Sequence, residues 1–194
     1  MILATNNKGK LEEIKKMFSE YKIYSLKEKN IDIDVEEDQD TFLGNAKKKA
    51  MEIYEISHEE TVADDSGLCI DCLDGFPGVM THRFLGDDAT DRMRNEYLIK
   101  EVNKHEDRRA QVICNLVYYN GKEFVVGEGI LEGFISKECR GANGFGFDEI
   151  FELPNGLTLA ELSPEEKNEV SARALALKDL KMKLNKTKAT DMER

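Results

Sequence analysis

Short apolar runs alternate along the chain with segments whose apolar residues recur every three or four positions, the patterns of buried strands and amphipathic helices. The predicted elements are, in order, a strand at 1–4, a helix at 8–20, a strand at 22–26, a helix at 41–57, strands at 61–63 and 68–73, a helix at 89–103, strands at 110–119 and 122–135, and a helix at 164–184. Asn120-Gly121 between the two long strands is a strong hairpin signal. Helices mixed with a hairpin favour an α/β fold with a mixed sheet over a purely parallel one.

Polar residues mark the starts of two helices. Asn7 is placed to cap the first helix, and Ser163 with Pro164 and Glu166 forms a capping box at the start of the last one. The segment 185–194 is polar, and we expect a frayed tail there. With 194 residues the chain is long enough to bury a sizeable core, and we predict one domain over 1–194.

Acidic residues outnumber basic ones. Asp and Glu total 39 and Lys and Arg total 28, which gives a formal net charge of −11. Nucleic-acid duplexes and anionic membranes repel a polyanion, so we expect neither as a general partner. The sequence shows neither an apolar run of the roughly 20 residues that cross a bilayer nor the pattern of a signal peptide. We therefore expect a cytoplasmic protein.

Two of the four cysteines, Cys69 and Cys72, have the CxxC spacing that occurs in redox and zinc sites. The residues 68–73 around them have the pattern of a strand, in which positions three apart point to opposite faces. We interpret these cysteines as packing residues with reduced thiols.

The segment Thr5-Asn6-Asn7-Lys8-Gly9-Lys10 connects the first predicted strand to the first predicted helix. A helix N-terminus offers free backbone N–H groups and the positive end of the helix dipole, and such places bind phosphate. The lysines add charge and the glycine permits close approach. The Walker A spacing is absent, and an ordinary turn with solvated lysines is the alternative.

Two acidic stretches are candidates for cation chemistry. Asp64-Asp65-Ser66-Gly67 follows a predicted strand, and open α/β sheets place ligands at strand ends. Carboxylates suit Mg²⁺, which needs only one or two of them when phosphate completes its shell, and a carboxylate can also orient or deprotonate a water. The run at 32–40 contains six acids in nine residues, which is typical of a solvated loop.

Two later segments are candidates for binding a flat ligand. The glycines in 140–148 allow close backbone approach, and Phe145 or Phe147 can stack on a purine; a flexible loop held by its phenylalanines is the alternative. In 165–173, Lys167 and Arg173 are six residues apart on the predicted helix. A solvated helix face is favoured there unless both side chains reach one cleft.

Five segments in this order resemble the inosine triphosphate pyrophosphatase family, the XTP/dITP diphosphatases. They are 4–10, 41–46, 63–68, 144–148 and 166–167, and the resemblance covers residues 2 to about 184. It implies an α/β fold with a long mixed sheet flanked by helices, two lobes with a central substrate cleft, and a homodimer. It also implies Mg²⁺-dependent hydrolysis of ITP, dITP and XTP to the monophosphate and pyrophosphate, which removes non-standard purine nucleotides.

The resemblance also implies roles for residues at matching positions. Those expected to bind the phosphates are Thr5, Asn6, Asn7, Lys8, Gly9, Lys10 and Lys49. Those expected to hold Mg²⁺ are Glu37 and Asp65, of which Asp65 is also the expected general base. Those expected to contact the rest of the substrate are Ser66, Phe145, Gly146, Phe147, Asp148, Lys167 and Arg173. Donors from Lys167 and Arg173 would pair with a 6-oxo group, whereas the 6-amino group of ATP would leave buried groups unpaired.

Three positions depart from the family pattern. Asn6 stands where a glycine is common, and Ser171-Ala172-Arg173 replaces the usual Ser-His-Arg. Conversely, Thr81-His82-Arg83 stands where Ser-Ala-Arg is usual. These departures suggest the hypothesis that His82 lies near the substrate and partly replaces the missing imidazole, with an exposed loop histidine as the alternative.

Two other functions remain open at this point. One is a pyrophosphatase for other modified nucleotides, as in Maf-type proteins, which the change at Ala172 keeps open. The other is a catalytically silent nucleotide-binding module, against which the combination of Lys10, Glu37 and Asp65 argues, because pure binding needs no positioned base.

Overall fold

The computed structural model describes the backbone of residues 1–192 and the side chains of residues 1–186. Within this range, six strands form one sheet in the order β2-β1-β3-β4-β5-β6. The strands are β1 (Ile2–Leu3), β2 (Tyr24–Ser25), β3 (Thr61–Ile70), β4 (Arg109–Tyr119), β5 (Phe124–Ile135) and β6 (Phe151–Glu152). The α-helices are α1 (Lys8–Met17), α2 (Phe42–Ser57), α3 (Asp91–Val102), α4 (Pro164–Val170) and α5 (Ala172–Met192).

The sheet contains both strand orientations. β1 is parallel to β2 and to β3, with Ile2 opposite Tyr24 on one side and Thr61 on the other. β5 and β6 are antiparallel, with Phe134 opposite Glu152. This arrangement confirms the predicted α/β class with a long mixed sheet and flanking helices.

The chain divides into two compact units. Unit 1 comprises Met1–Ser66, Cys114–Gly129 and Ala172–Arg194, and unit 2 comprises Gly67–Ile113 and Ile130–Ser171. Two units agree with the two lobes that the family resemblance implies. The central substrate cleft and the single domain over 1–194 stay predictions.

Local hydrogen bonds confirm the turn and cap signals of the sequence. The side chain of Asn7 accepts a bond from the backbone N–H of Lys10 at 3.1 Å and caps α1. Ser163 and Glu166 exchange the two bonds of a capping box at the start of α4. Between β4 and β5, the side chain of Asn120 accepts two backbone bonds within the turn.

β3 is a single long strand where the sequence predicts two short ones. The strand end predicted at residue 63 is wrong, because residues 64–67 continue the strand and are buried. Acids can lie inside a strand when cations and amides compensate them, and such partners are present here. The predicted strand at 68–73 is also partly wrong, since β3 ends at Ile70 and Cys72 lies in a 3₁₀ helix at Asp71–Leu73. The four cysteines are free thiols.

The last helix is interrupted, contrary to the prediction of one helix over 164–184. α4 ends at Val170, and Ser171 is extended with φ −63° and ψ 153° before α5 begins at Ala172. α5 then continues past Leu184, the predicted end, to Met192. The predicted tail at 185–194 therefore begins as helix, and its last two residues lie outside the described range.

Every second residue is apolar in the segment 31–36. The three apolar side chains pack against the core of unit 1, whereas the three acids between them are exposed. The buried members of that core are Ile2, Ala4, Leu26, Ala46, Ala50, Ile53, Ala63 and Val117. The predicted solvated loop at 32–40 therefore has one side packed on the core up to Val35, whereas its residues 38–40 are exposed to solvent as predicted.

A search of the described helices for a membrane span finds none with the length and apolar character that a bilayer crossing requires. The expected cytoplasmic location stays a prediction.

Candidate active site

β3 carries two adjacent carboxylates into the interior of unit 1. Asp64 is 0% exposed and Asp65 is 4% exposed. Because successive strand residues point to opposite faces, the two carboxylates have different hydrogen-bond partners.

Asp64 lies between two cations. Its Oδ2 is 3.0 Å from the Nζ of Lys10 on α1 and 3.4 Å from an Nη of Arg173 on α5. Arg173 also donates to the hydroxyl of Ser66 at 3.3 Å and pairs with Glu13. Burial by itself would raise the pKa of Asp64, but the cations outweigh it and hold that pKa well below its usual range. Asp64 is therefore a permanent counter-charge for two of the predicted substrate-binding residues.

Asp65 has neutral hydrogen-bond donors instead. Its Oδ2 accepts a bond from the side-chain amide of Asn45 at 2.9 Å, and its Oδ1 accepts one from the backbone N–H of Ser66 at 2.9 Å. Burial raises the pKa of Asp65, and the nearby charge of Glu37 raises it further against the opposing effect of Lys49. These bonds hold the carboxylate in a fixed orientation, and no salt bridge to it occurs among the residues that the structure describes.

Lys49 is the cation shared by the carboxylates of this cluster. Its Nζ is 2.7 Å from Glu37, and it also interacts electrostatically with Asp64 and Asp65. Burial would lower the pKa of Lys49, yet the three acids raise it, so the side chain stays charged. Lys49 and Asn45 are four residues apart on α2 and therefore share one helix face.

The phosphate-binding loop predicted at 5–10 is only partly buried. Lys10 is 5% exposed and ion-paired, whereas Lys8 and Asn6 are exposed. Asn6 donates to the backbone carbonyl of Ile33 at 3.1 Å, which ties the loop to the acidic segment. The hydroxyl of Thr5 accepts a bond from the N–H of the α1 cap residue at 3.2 Å.

Unit 2 holds a second group of predicted site residues. Lys167 on α4 and Asp148 are both buried, and their charged atoms are 2.6 Å apart. Both members of this pair also contact Phe145. The backbone N–H of Phe145 donates to Asp148 at 2.9 Å, and the centroid of its ring is 4.6 Å from the Lys167 ammonium. The aromatic ring of Phe145, the carboxylate of Asp148 and the ammonium of Lys167 are thus held together at the glycine-rich loop.

Two residues that the resemblance groups together belong to different units. Lys167 lies in unit 2 with Asp148, whereas Arg173 lies in unit 1 with Asp64 and Ser66. The interruption at Ser171 falls between them. The base contact predicted for Arg173 stays a prediction, while its observed partners belong to the acid and cation cluster.

Three members of the unit 1 cluster are absent from the set assigned from the sequence. They are Glu13, Asn45 and Asp64. Two of them carried a usable signal, since Asn45 lies in the 41–46 motif and Asp64 adjoins the assigned Asp65. No sequence signal indicated Glu13, because its partner Arg173 is 160 residues away in the sequence and lies on a different helix.

His82 is half-buried and lies beside the glycine-rich loop. Its Cε1 is 3.7 Å from the position that a Cβ atom on Gly146 would occupy, and it lines a small cavity together with Phe147. The location fits the hypothesis that His82 is near the substrate. Its role in selecting a base stays a prediction.

The residues predicted to hold Mg²⁺ fit a hard cation. Among the described residues, no group of three or more His, Cys, Asp or Glu side chains forms a ready metal cage. Magnesium, however, needs only one or two carboxylates when phosphate oxygens complete its shell. Glu37 lies close enough to raise the pKa of Asp65, and Lys49 opposes this effect. Burial leaves the pKa of Asp65 raised, and a divalent cation beside these two carboxylates would stabilise their charged forms.

The central strand of this α/β sheet carries buried acids, and buried lysines and a helix N-terminus accompany them. These features define a candidate phosphate- and cation-binding enzyme. Comparison with known proteins narrows this class. The sequence pattern of the Ham1 family matches residues 1–183, and the chain belongs to that family.

Individual relatives cover nearly the whole chain. It is 39% identical over 191 residues to a dITP/XTP pyrophosphatase of Clostridium tetani, covering 95% of both chains. It is 43% identical over 192 residues to one from Clostridium perfringens, covering 93% of this chain and 94% of the relative. The structure of the Staphylococcus aureus Ham1 protein superposes with a TM-score of 0.87 at 34% identity, covering 96% of this chain and 98% of that one. These matches confirm the resemblance drawn from the five motifs.

Proposed function

We propose that this protein hydrolyses the non-standard purine nucleotides dITP, XTP and ITP to the monophosphate and pyrophosphate. Membership of the Ham1 family and relatives named dITP/XTP pyrophosphatase support this activity. The observation that carries it is the buried Asp65, oriented by Asn45 and placed in the field of Lys49. Binding alone would require neither a buried acid nor its orientation.

Lys10 and Lys49 of unit 1 bind the phosphates in this proposal. Lys10 follows the cap of α1, so its ammonium and the free N–H groups of that helix attract the same anion. Asp64 keeps Lys10 and Arg173 in place before substrate arrives, which reduces the entropy lost on binding. Lys49 neutralises the charge that develops on the attacked phosphate.

Asp65 accepts the proton of the attacking water. The bonds from Asn45 and from the backbone of Ser66 fix its two oxygens, so its remaining lone pairs are directed toward the water. The metal is proposed to be Mg²⁺, held by Glu37 and Asp65. When bound, it would supply further charge neutralisation at the phosphates.

The unit 2 group binds the base and the sugar. Phe145 offers a ring for stacking, and the Lys167 ammonium supplies donors that suit a 6-oxo purine. A 6-amino group is itself a donor and cannot accept a hydrogen bond from Lys167, so ATP is discriminated against.

Product analysis tests the proposal. We expect pyrophosphate from ITP, dITP and XTP, much less from ATP, and none when EDTA removes the divalent cations. Anion-exchange chromatography with a coupled pyrophosphate assay measures all four substrates in parallel. Orthophosphate as the product would indicate a phosphatase, binding without turnover would indicate a silent nucleotide-binding module, and preference for other modified nucleotides would indicate a Maf-type enzyme.

Replacing His82 tests its proposed part in base selection. We expect His82→Ala to lower the ratio of kcat/KM for ITP to that for ATP about fivefold, the effect of losing one hydrogen bond. His105→Ala is the matched control, because that imidazole is exposed. An unchanged ratio in His82→Ala would show that this histidine takes no part in selection.

We also propose that the protein is a homodimer and acts in the cytoplasm on free nucleotides, with neither nucleic acid nor membrane as a partner. The dimer follows from the family resemblance. The strongly negative net charge supports the absence of polyanionic partners.

A further inference from the structure

Two side chains of α3 hold one residue of the glycine-rich loop by both of its backbone groups. The N–H of Gly146 donates to the carboxylate of Asp91 at 2.8 Å. The carbonyl of Gly146 accepts a bond from the side-chain amide of Asn95 at 2.9 Å. Asp91 and Asn95 are four residues apart and therefore lie on one face of α3. We call these two residues and Gly146 the α3 clamp.

The clamp acts where the loop is conformationally free. Gly144 and Gly146 have φ of +77° and +64°, in the positive-φ region. Glycine populates positive and negative φ about equally readily, so neither value is strongly favoured by the residue itself. Without outside contacts, such a segment samples many backbone conformations. Fixing both polar groups of Gly146 removes that freedom at the residue between Phe145 and Phe147.

The helix that carries the clamp is itself anchored. Asn95 is 2% exposed, and the neighbouring Arg94 donates to the carbonyls of Phe84, Gly86 and Ala89 at 2.6 to 2.9 Å. A loop bonded to this helix is therefore tied to a rigid element.

The other side of the loop is fixed independently. The N–H of Phe145 donates to Asp148, which is paired with Lys167. Phe145 is thus hydrogen-bonded to Asp148, and the next residue, Gly146, is hydrogen-bonded to two side chains of α3. Two separate sets of contacts determine where the ring lies.

We propose that Asp91 and Asn95 are positioning residues, which fix Gly146 and so orient the rings of Phe145 and Phe147 for stacking on the substrate base. This inference rests on the proposed function, because it assumes that the loop binds a purine. Neither side chain needs to touch the nucleotide. Their effect is pre-organisation, which is expressed in substrate affinity and base selection and not in the chemical step.

Steady-state kinetics separate these effects. Asn95→Ala and Asp91→Ala should each raise KM for ITP about tenfold and change kcat less than about twofold, as expected for loss of one hydrogen bond that fixes the loop. Asp91→Asn keeps an acceptor oxygen and should recover most of the affinity lost in Asp91→Ala. Met93→Ala is the matched control, because Met93 lies on α3 between the two residues and is 53% exposed.

Hydrogen exchange provides a readout that does not depend on activity. The Gly146 amide should exchange at least about tenfold faster in Asp91→Ala than in Met93→Ala, at an unchanged melting temperature. Unchanged exchange would overturn the clamp, and faster exchange with unchanged KM would overturn its role in binding. If the wild-type protein failed to hydrolyse ITP, the proposed function would fall, while the exchange result would still decide whether the clamp orders the loop.

Discussion

Asp65→Asn should reduce kcat for ITP by about 10² to 10⁴-fold, the usual contribution of a general base, and leave the fold intact. The amide is close in size to the carboxylate and can keep one of the two bonds that Asn45 and the Ser66 backbone now make. Burial raises the pKa of Asp65, which means that its charge costs folding free energy at neutral pH. A neutral replacement removes that cost, so we expect a melting temperature within about 3 °C of the wild-type value.

The measurement combines pyrophosphate release at saturating ITP with a thermal melt. Asp88→Asn makes the same chemical change at an exposed position and should leave both quantities unaltered. Near-normal turnover in Asp65→Asn would remove this carboxylate from the mechanism. A large fall in melting temperature would instead assign it a structural role.

Gly129→Ala should lower the free energy of unfolding by about 3 kcal/mol, the upper part of the range for overpacking. A Cβ atom at Gly129 on β5 would overlap the carbonyl of Ala172 and lie 2.5 Å from the backbone N of Ala176. Both atoms belong to the backbone of α5, so no side-chain rotation relieves the overlap. The helix would have to move away from the strand, and Arg173 with it.

Thermal unfolding and ITP turnover together check this expectation. We expect the melting temperature to fall by about 10 °C for a chain of this length, with a loss of activity from the displaced Arg173. Glu128→Ala truncates an exposed neighbour on the same strand and should change neither. A Gly129→Ala protein that melts within about 2 °C of wild type would show that α5 does not need this close approach.

Periodicity and capping were sufficient to predict most elements of the fold. The signals at Asn7, Ser163 and Asn120 are local, because each residue bonds to backbone groups within three positions. Such interactions are readable from a short window of sequence. The mixed sheet followed from the hairpin and the helix pattern.

The errors arise where tertiary contacts override local preference. The sequence predicts that the strand ends before Asp64 and Asp65, yet cations and amides from the helices compensate these acids inside β3. On α3 the apolar side chain of Met93 is 53% exposed, whereas the polar side chains of Arg94 and Asn95 are buried. The partners of Arg94 lie in the loop before the helix, and the partner of Asn95 is 51 residues away. The apolar pattern of the helix therefore does not indicate either contact.

The sequence motifs named residues for the candidate site, but they did not predict which of these residues form ion pairs with each other. The family motifs located Lys10, Asp65 and Lys167, and the structure finds all three buried. No motif indicated that Lys10 and Arg173 share the counter-charge of Asp64. Long-range ion pairs of this kind depend on which elements pack together, and that information is spread over the whole chain.

The charge balance inside unit 1 differs from that of the molecule as a whole. In the cluster around β3, three cations, Lys10, Lys49 and Arg173, face four acids, Glu13, Glu37, Asp64 and Asp65. This interior is close to neutral, so nearly all of the net charge of −11 resides elsewhere on the molecule. Solubility, colloidal repulsion and retention on ion-exchange media are governed by those outer acids. Neutralising exposed carboxylates would therefore change these bulk properties while leaving the ion pairs of the cluster in place.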